Sequence, residues 1–281
     1  MDDHAVPEPT ACPTTSGVPM LGLGTWQNTD PEACAESVQY ALELGYRHVD
    51  TAQTYGNEEY VGDGIARADV DRNEFFLATK IHDMFGGLGF DRFHDAAENR
   101  LDALGVDALD LLYVHWPVGS FDTETTLPKL DRAVDAGIAE YAGVSNFTLE
   151  MLEETLDVLD NPLFAHQAEC HPYLQQTDLI DHAQKHDYYF VAYSPLARGD
   201  VLEDDVLTDI ADKHGASAAQ VSLAWLLGID NVVVIPKATS EEHIRDNWEA
   251  RTLALDDEDV ERIESIDREK RYVDRDDAPW H

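Results

Sequence analysis

Leu109-Asp-Leu-Leu-Tyr-Val-His-Trp-Pro117 decides how this chain folds. The run is almost continuously apolar. It lacks the alternation of a strand with one wet face, so it reads as a parallel strand covered on both sides. Apart from Asp110 near its start, its polar side chain comes at the end, at His115, and Pro117 then turns the chain.

The same design recurs outward in both directions. Candidate strands are Leu21–Thr25, Arg47–Thr51, Phe75–Lys80, Leu109–His115, Tyr141–Ser145, Phe164–Cys170, Tyr189–Ser194 and Asn231–Pro236. Amphipathic helical stretches separate them. Asp30-Pro31 supplies an N-cap and a first-turn proline for a helix ending near Gly45. Phe90–Leu104 has helical periodicity and stops at Gly105. Ser217-Ala-Ala-Gln220 is a capping box, and Ser240 precedes two first-turn acids, Glu241 and Glu242. Eight strand–helix alternations predict an α/β fold, a (β/α)8 TIM barrel, as a single domain over 1–281 with irregular ends at about 1–16 and 271–281. A doubly wound dinucleotide-binding sheet is the rival. Gly22-Leu-Gly24 begins its fingerprint, but Gln27 stands where the third glycine belongs.

The chain carries 19 Lys and Arg against 57 Asp and Glu, a net charge of −38. Such a field opposes nucleic acid and anionic membrane, and it predicts a halophilic, salt-solvated surface. Three cysteines, Cys12, Cys34 and Cys170, form no C-x-x-C pair. Together with the lack of a signal-like or membrane-length apolar stretch, they lead us to expect a cytoplasmic protein.

Barrel chemistry collects at the C-terminal strand ends. Those positions hold Trp26; Asp50 with Tyr55; Lys80; His115 with Trp116; Ser145 with Asn146; Gln167; Tyr193 with Ser194; and Lys237. Two of only six lysines fall there, which a surface-charge account does not explain. Singly, Asp50 reads as a cap, Tyr55 as a turn residue, Lys80 as an exposed strand end and His115 as a packed corner. On three consecutive strands they form a set suited to reducing a C=O bond. Lys80 is expected to depress the Tyr55 pKa, Asp50 to hold Lys80, and neutral His115 to donate to the substrate oxygen. Trp26 and Trp116 are expected to wall the substrate pocket, with Phe85 and Phe121 as weaker candidates and Trp280 as a lid. His166, Glu169 and His171 do not share one strand face, and no metal site is expected.

Gly22-Leu-Gly-Thr-Trp26, Arg47-His-Val-Asp-Thr-Ala-Gln-Thr-Tyr-Gly56, Thr79-Lys80, Leu111-Leu-Tyr-Val-His-Trp-Pro117, Gly143-Val-Ser-Asn-Phe147, Tyr193-Ser-Pro-Leu196 and Ile235-Pro-Lys237 closely resemble the aldo-keto reductases, nearest to their small prokaryotic diketogluconate reductase type. The resemblance spans about residues 17–270. It implies a monomeric barrel that binds NADPH without a Rossmann fold and reduces aldehydes or ketones, including sugar-derived dicarbonyls. It also implies roles: Tyr55 as general acid, Asp50 and Lys80 as its tuning pair, and His115 as the orienting residue. Thr25, Ser145, Asn146, Gln167, Tyr193, Ser194, Leu196, Arg198, Lys237, Thr239, His243 and Asn247 are implied to bind the cofactor. One departure stands out. The family usually has Ser just after the lysine and Arg six positions after it; this chain has Ala238 and His243. Losing a bidentate donor weakens phosphate recognition, so NADH should be rejected less sharply than is usual. A non-catalytic, redox-sensing NADPH module, alcohol oxidation by the same site, and a metal-dependent barrel hydrolase are the alternatives.

Overall fold

A computed structural model of the chain describes residue 12 and residues 14–83, 88 and 92–281. A short hairpin, β1 (Thr14–Thr15) and β2 (Val18–Pro19), comes first. Eight strands follow: β3 (Leu23–Gly24), β4 (His48–Asp50), β5 (Phe76–Ile81), β6 (Leu109–Val114), β7 (Ala139–Ser145), β8 (Leu163–Glu169), β9 (Tyr189–Tyr193) and β10 (Val232–Val234). Each is hydrogen-bonded to the next in chain order, and every pairing is parallel. Parallel bridges Leu21–Val234 and Gly24–Lys237 join the last strand to the first, with Gly22 N donating to Val234 O at 2.8 Å. The sheet is therefore a closed ring, the (β/α)8 barrel. Closure is tight at Gly24, where a Cβ would lie 2.7 Å from the Ile235 carbonyl oxygen.

Ten α-helices are seen among the described residues: α1 (Pro31–Leu44), α2 (Glu58–Arg67), α3 (Phe93–Leu104), α4 (Thr123–Asp135), α5 (Leu149–Val158), α6 (Thr177–Lys185), α7 (Asp205–His214), α8 (Ala218–Leu227), α9 (Glu241–Glu249) and α10 (Asp257–Glu264). The sequence signals for their ends are realised. Asp30 accepts from Ala33 N at 2.9 Å and Pro31 opens α1. Ser217 and Gln220 make the reciprocal box of α8, and Ser240 caps α9. The helix expected from Phe90 begins at Phe93; residues 89–91, like Phe85, lie outside the described residues. α8 is buried almost all round, so it lacks a wet face; it is covered by α7, α9 and β10.

Two apolar layers hold the fold. Between strands and helices lies a continuous core that includes Leu23, Val49, Leu77, Leu112, Val144 and Phe190. Inside the ring, Phe76, Leu111, Tyr113, Ala165, Val191 and Val233 fill the lumen, and a stack of Phe76, Tyr141 and Phe164 closes its lower end. The lumen is thus filled below, and its main opening lies above.

The termini differ from expectation in part. Thr14–Thr15 is a strand rather than irregular, and Tyr189, at the start of β9, donates to Thr15 O at 3.1 Å. The hairpin therefore caps the N-terminal end of the ring. Residues 271–281 are irregular, yet Tyr272 N and Val273 N donate to buried Glu169 at 2.7 and 2.9 Å. The tail is fastened over the open end.

Candidate active site

A cavity of about 320 Å³ opens at the C-terminal ends of the strands. Asp50 ends β4, Lys80 lies near the end of β5, and His115 directly follows β6. Tyr55 closes a short 3-10 turn, Gln53–Tyr55, that left-handed Gly56 terminates. Parallel register pairs Asp50 with Ala78 and Lys80 with Tyr113, so Asp50, Lys80 and His115 each lie two positions further along their strand than the one before. The long Lys80 side chain reaches back to Asp50, and the turn brings the Tyr55 ring over the ammonium.

The Lys80 ammonium is fully buried. It donates to Asp50 Oδ1 and, at 2.8 Å, to Thr51 O, and it lies 5.3 Å from the Tyr55 ring centroid. Asp50 Oδ2 accepts from Gln167 Nε2 at 2.9 Å. Removing one partner of such a buried pair leaves an uncompensated charge, at a cost of about 3–5 kcal/mol. Burial pulls the Lys80 pKa down, while Asp50 and Glu58 push it back up.

Tyr55 departs from expectation. Its pKa is not depressed: burial pushes the phenol well above its usual range, and the Asp50 carboxylate and then Tyr193 add to the rise. The Lys80 charge that should favour phenolate is offset in part by Asp50 in direct contact, and burial outweighs what remains. The resting phenol therefore holds its proton.

His115 meets the Tyr55 ring edge-on, with centroids 5.9 Å apart. Burial, reinforced by Lys80, His82 and Arg275, drives its pKa well below the ordinary value, so it is neutral. Its Nδ1 lies 3.3 Å from Thr54 Oγ1, and its carbonyl accepts from Asn146 Nδ2 at 3.0 Å. A Thr54 hydroxyl donating to Nδ1 leaves the ring proton on Nε2.

Of the residues expected to bind a cofactor, Thr25, Ser145, Asn146, Gln167, Tyr193, Ser194 and Lys237 line the cavity. Ser145 Oγ accepts from Asn146 Nδ2, and Asn146 Oδ1 accepts from Tyr193 OH at 2.8 Å. Leu196, Arg198, Thr239, His243 and Asn247 are not among the cavity walls. The loop after β9 is held in left-handed backbone at Ser194, Ala197 and Arg198, a strained form usually kept for function. Its Arg198 guanidinium lies 4.9 Å from the Trp26 ring centroid. Beyond Lys237, Thr239 and His243 are exposed at the start of α9, whereas Ala238 and Asn247 are buried. Amide groups at the bottom, a flat Tyr193 ring on one wall and an exposed Lys237 at the rim suit an extended dinucleotide. The Ala238 and His243 positions offer its phosphate no fork of donors.

Trp26 and Trp116 both line the cavity. Trp280, expected as a lid, packs against Trp116 with ring centroids 5.5 Å apart but is not itself among the cavity walls. Phe121 does not reach the cavity; it packs edge-on against Phe147, so its place is the core. Sequence reasoning missed Thr54, His82, Val273 and Arg275 as lining residues. Thr54 lies one residue before Tyr55 and His82 two after Lys80, so motif proximity could have found them. The two tail residues gave no local signal. Glu169 bonds His171 at 3.1 Å, while His166 accepts from Phe147 N elsewhere, so these three do not converge.

The model of the aldo/keto reductase family matches residues 20–268. Methylglyoxal reductase DkgB of Salmonella typhimurium is 38% identical over 91% of this chain and 96% of its own length. Glyoxal reductase of Bacillus subtilis is 37% identical over 90% of this chain and 91% of its own. Among solved structures, one described as a candidate 2,5-diketo-D-gluconic acid reductase B superposes with a TM-score of 0.88 at 32% identity, covering 94% of this chain and 93% of that one. An aldo-keto reductase from a Medee basin deep-sea metagenome library gives 0.85 at 33% identity, covering 90% and 93%.

Proposed function

Because this chain belongs to the aldo/keto reductase family and is an oxidoreductase acting on carbonyl compounds with NAD(P)H, we propose that it reduces small aldehydes and ketones, dicarbonyls above all, with Tyr55 as the proton donor. One observation carries this: Asp50, Tyr55 and His115 line one cavity with the Lys80 ammonium buried behind them against Asp50 and the Tyr55 ring, and burial favours a protonated phenol and a neutral histidine. The bound cofactor supplies the hydride. His115 Nε2–H donates to the carbonyl oxygen and orients it. Tyr55 gives that oxygen its proton as negative charge develops there. Buried Lys80 then stabilises the phenolate left behind, and Asp50 keeps the ammonium in place. Trp26, Trp116 and Trp280 exclude water above the reacting carbon.

The dicarbonyl preference rests on relatives named for methylglyoxal and glyoxal reduction, and on the modest size of the cavity. NADPH is the proposed preference, through Lys237 and the N-terminus of α9. We place the enzyme in the cytoplasm, acting as a monomer on a small carbonyl substrate in reductive direction. Among the described residues no helix is long and apolar enough to cross a membrane. Purified protein with a carbonyl panel, followed by loss of reduced-cofactor absorbance, tests the reading. Turnover of methylglyoxal or glyoxal is expected. No turnover of any aldehyde with either cofactor would leave only a binding module. Tyr55→Phe should lower kcat by about 10²–10⁴-fold while cofactor binding persists.

A further inference from the structure

On the outer layer, away from the cavity walls, three side chains from two helices face one another. Glu153 lies on α5, His182 on α6, and His186 caps the C-terminal end of α6. Each offers one ligand atom, and these atoms all lie within 4.8 Å of one another. His182 Nε2 is 3.2 Å from Glu153 Oε1. Tetrahedral zinc, with bonds of about 2.0–2.1 Å, places neighbouring donors about 3.3 Å apart. The two imidazoles stack at 4.3 Å, one helical turn apart. His186 Nε2 is buried and has no hydrogen-bond partner among the described residues.

The surroundings suit a metal-bound imidazole. His182 Nδ1 lies 2.7 Å from the hydroxyl of buried Tyr188. With Nδ1–H donating there, Nε2 presents its lone pair to Glu153 and His186, the outer partner that ligating histidines ordinarily need. Glu153 is exposed enough to admit an ion and its waters. Lys185 opposes a cation here, but the chain's net charge of −38 concentrates cations around it. Two imidazoles with one carboxylate favour zinc-class ions over magnesium or calcium.

We propose that Glu153, His182 and His186 form a divalent transition-metal site, taking zinc or its close relatives, that pins α5 to α6. Three protein ligands leave at least one coordination position to water. The ion binds the folded chain and so raises its stability; it takes no part in carbonyl reduction.

Chelator-treated full-length protein, titrated with Zn²⁺ in high salt with excess Mg²⁺ to occupy scattered carboxylates, tests this by calorimetry and thermal melting. One site per chain is expected, with a rise in melting midpoint. Glu153→Gln and His186→Ala should each weaken it at least about tenfold, the usual scale for losing a ligand or its support. Reductase activity without metal should be unchanged in both. With Co²⁺ as probe, the wild type should show the visible bands of a low-coordinate site, lost in His186→Ala. Zn²⁺ affinity equal in the wild type and both variants, or no binding beyond that of Mg²⁺, overturns the proposal.

Discussion

Gln167 Nε2 donates to Asp50 Oδ2 at 2.9 Å, so a residue implied to serve the cofactor also clamps the carboxylate that holds Lys80. The two lie 117 positions apart in sequence. Gln167→Leu removes a donor from a buried carboxylate, at a cost of about 1–3 kcal/mol in whichever state needs it. If the clamp serves proton transfer, kcat falls about ten- to a hundredfold. Steady-state kinetics in both substrates check this. A change confined to cofactor KM would leave the clamp without a catalytic part.

His243→Arg restores the fork the family usually carries six residues after its lysine. The side chain is exposed on the first turn of α9, so the change should not disturb folding. A hydrogen bond to a charged group is worth about 1.5–3 kcal/mol, so KM for NADPH should fall about tenfold or more while that for NADH stays put. Equal effects on both cofactors would place the 2′-phosphate elsewhere.

Acid should destabilise the fold through its buried histidines. Burial holds His48 down to about 4 and His166 to about 3. His166 Nε2 accepts from Phe147 N at 3.2 Å, a bond that needs the neutral ring. A histidine with a depressed folded pKa binds fewer protons folded than unfolded. Its stabilisation is whole above the ordinary value near 6.5 and shrinks as pH falls towards the folded value, by about 1.4 kcal/mol per pH unit for each ring. Urea unfolding at pH 7 and pH 5 checks this. His166→Gln should show a shallower loss than the wild type, and parallel losses would refute the assignment.

Activity should not follow the same curve. Neutral His115 and protonated Tyr55 both lie on the active side of their titrations at neutral pH. The kcat for reduction should therefore show no inflection near pH 6.5 and decline only in the alkaline range. A bell centred on neutrality would mean that another group carries the proton.

Glu169→Gln should loosen the tail. The carboxylate takes two backbone N–H groups, from Tyr272 and Val273, and an amide can accept both only by turning its own donors away. Val273, Arg275 and Trp280 would then hold the cavity mouth less well. KM for substrate should rise several-fold with kcat nearly unchanged, a split that uniform binding loss produces. A fall in kcat with KM intact would place Glu169 in the chemistry.

Much of this was legible in the chain. Continuous apolar runs ending in Asp50, Lys80 and His115 mark both the strands and the mouth of the barrel, because parallel strands bury both faces and put their C-terminal ends at one rim. Caps at Asp30, Ser217 and Ser240 are local hydrogen bonds, so local sequence specifies them. The state of Tyr55 was not legible. It depends on how far Asp50 cancels Lys80 and on how much water reaches the phenol, both set by packing. The tail contacts of Trp280 and Arg275, the Gln167 clamp and the meeting of Glu153 with His182 and His186 are likewise tertiary.

The sequence by itself determined the ring of strands, the order of its caps and the polar side chains that the strand ends carry, since periodicity and capping act over a few residues. Only the tertiary structure decided the charges those side chains carry and the partners they hold, since desolvation and Coulomb forces act across elements that the chain keeps far apart.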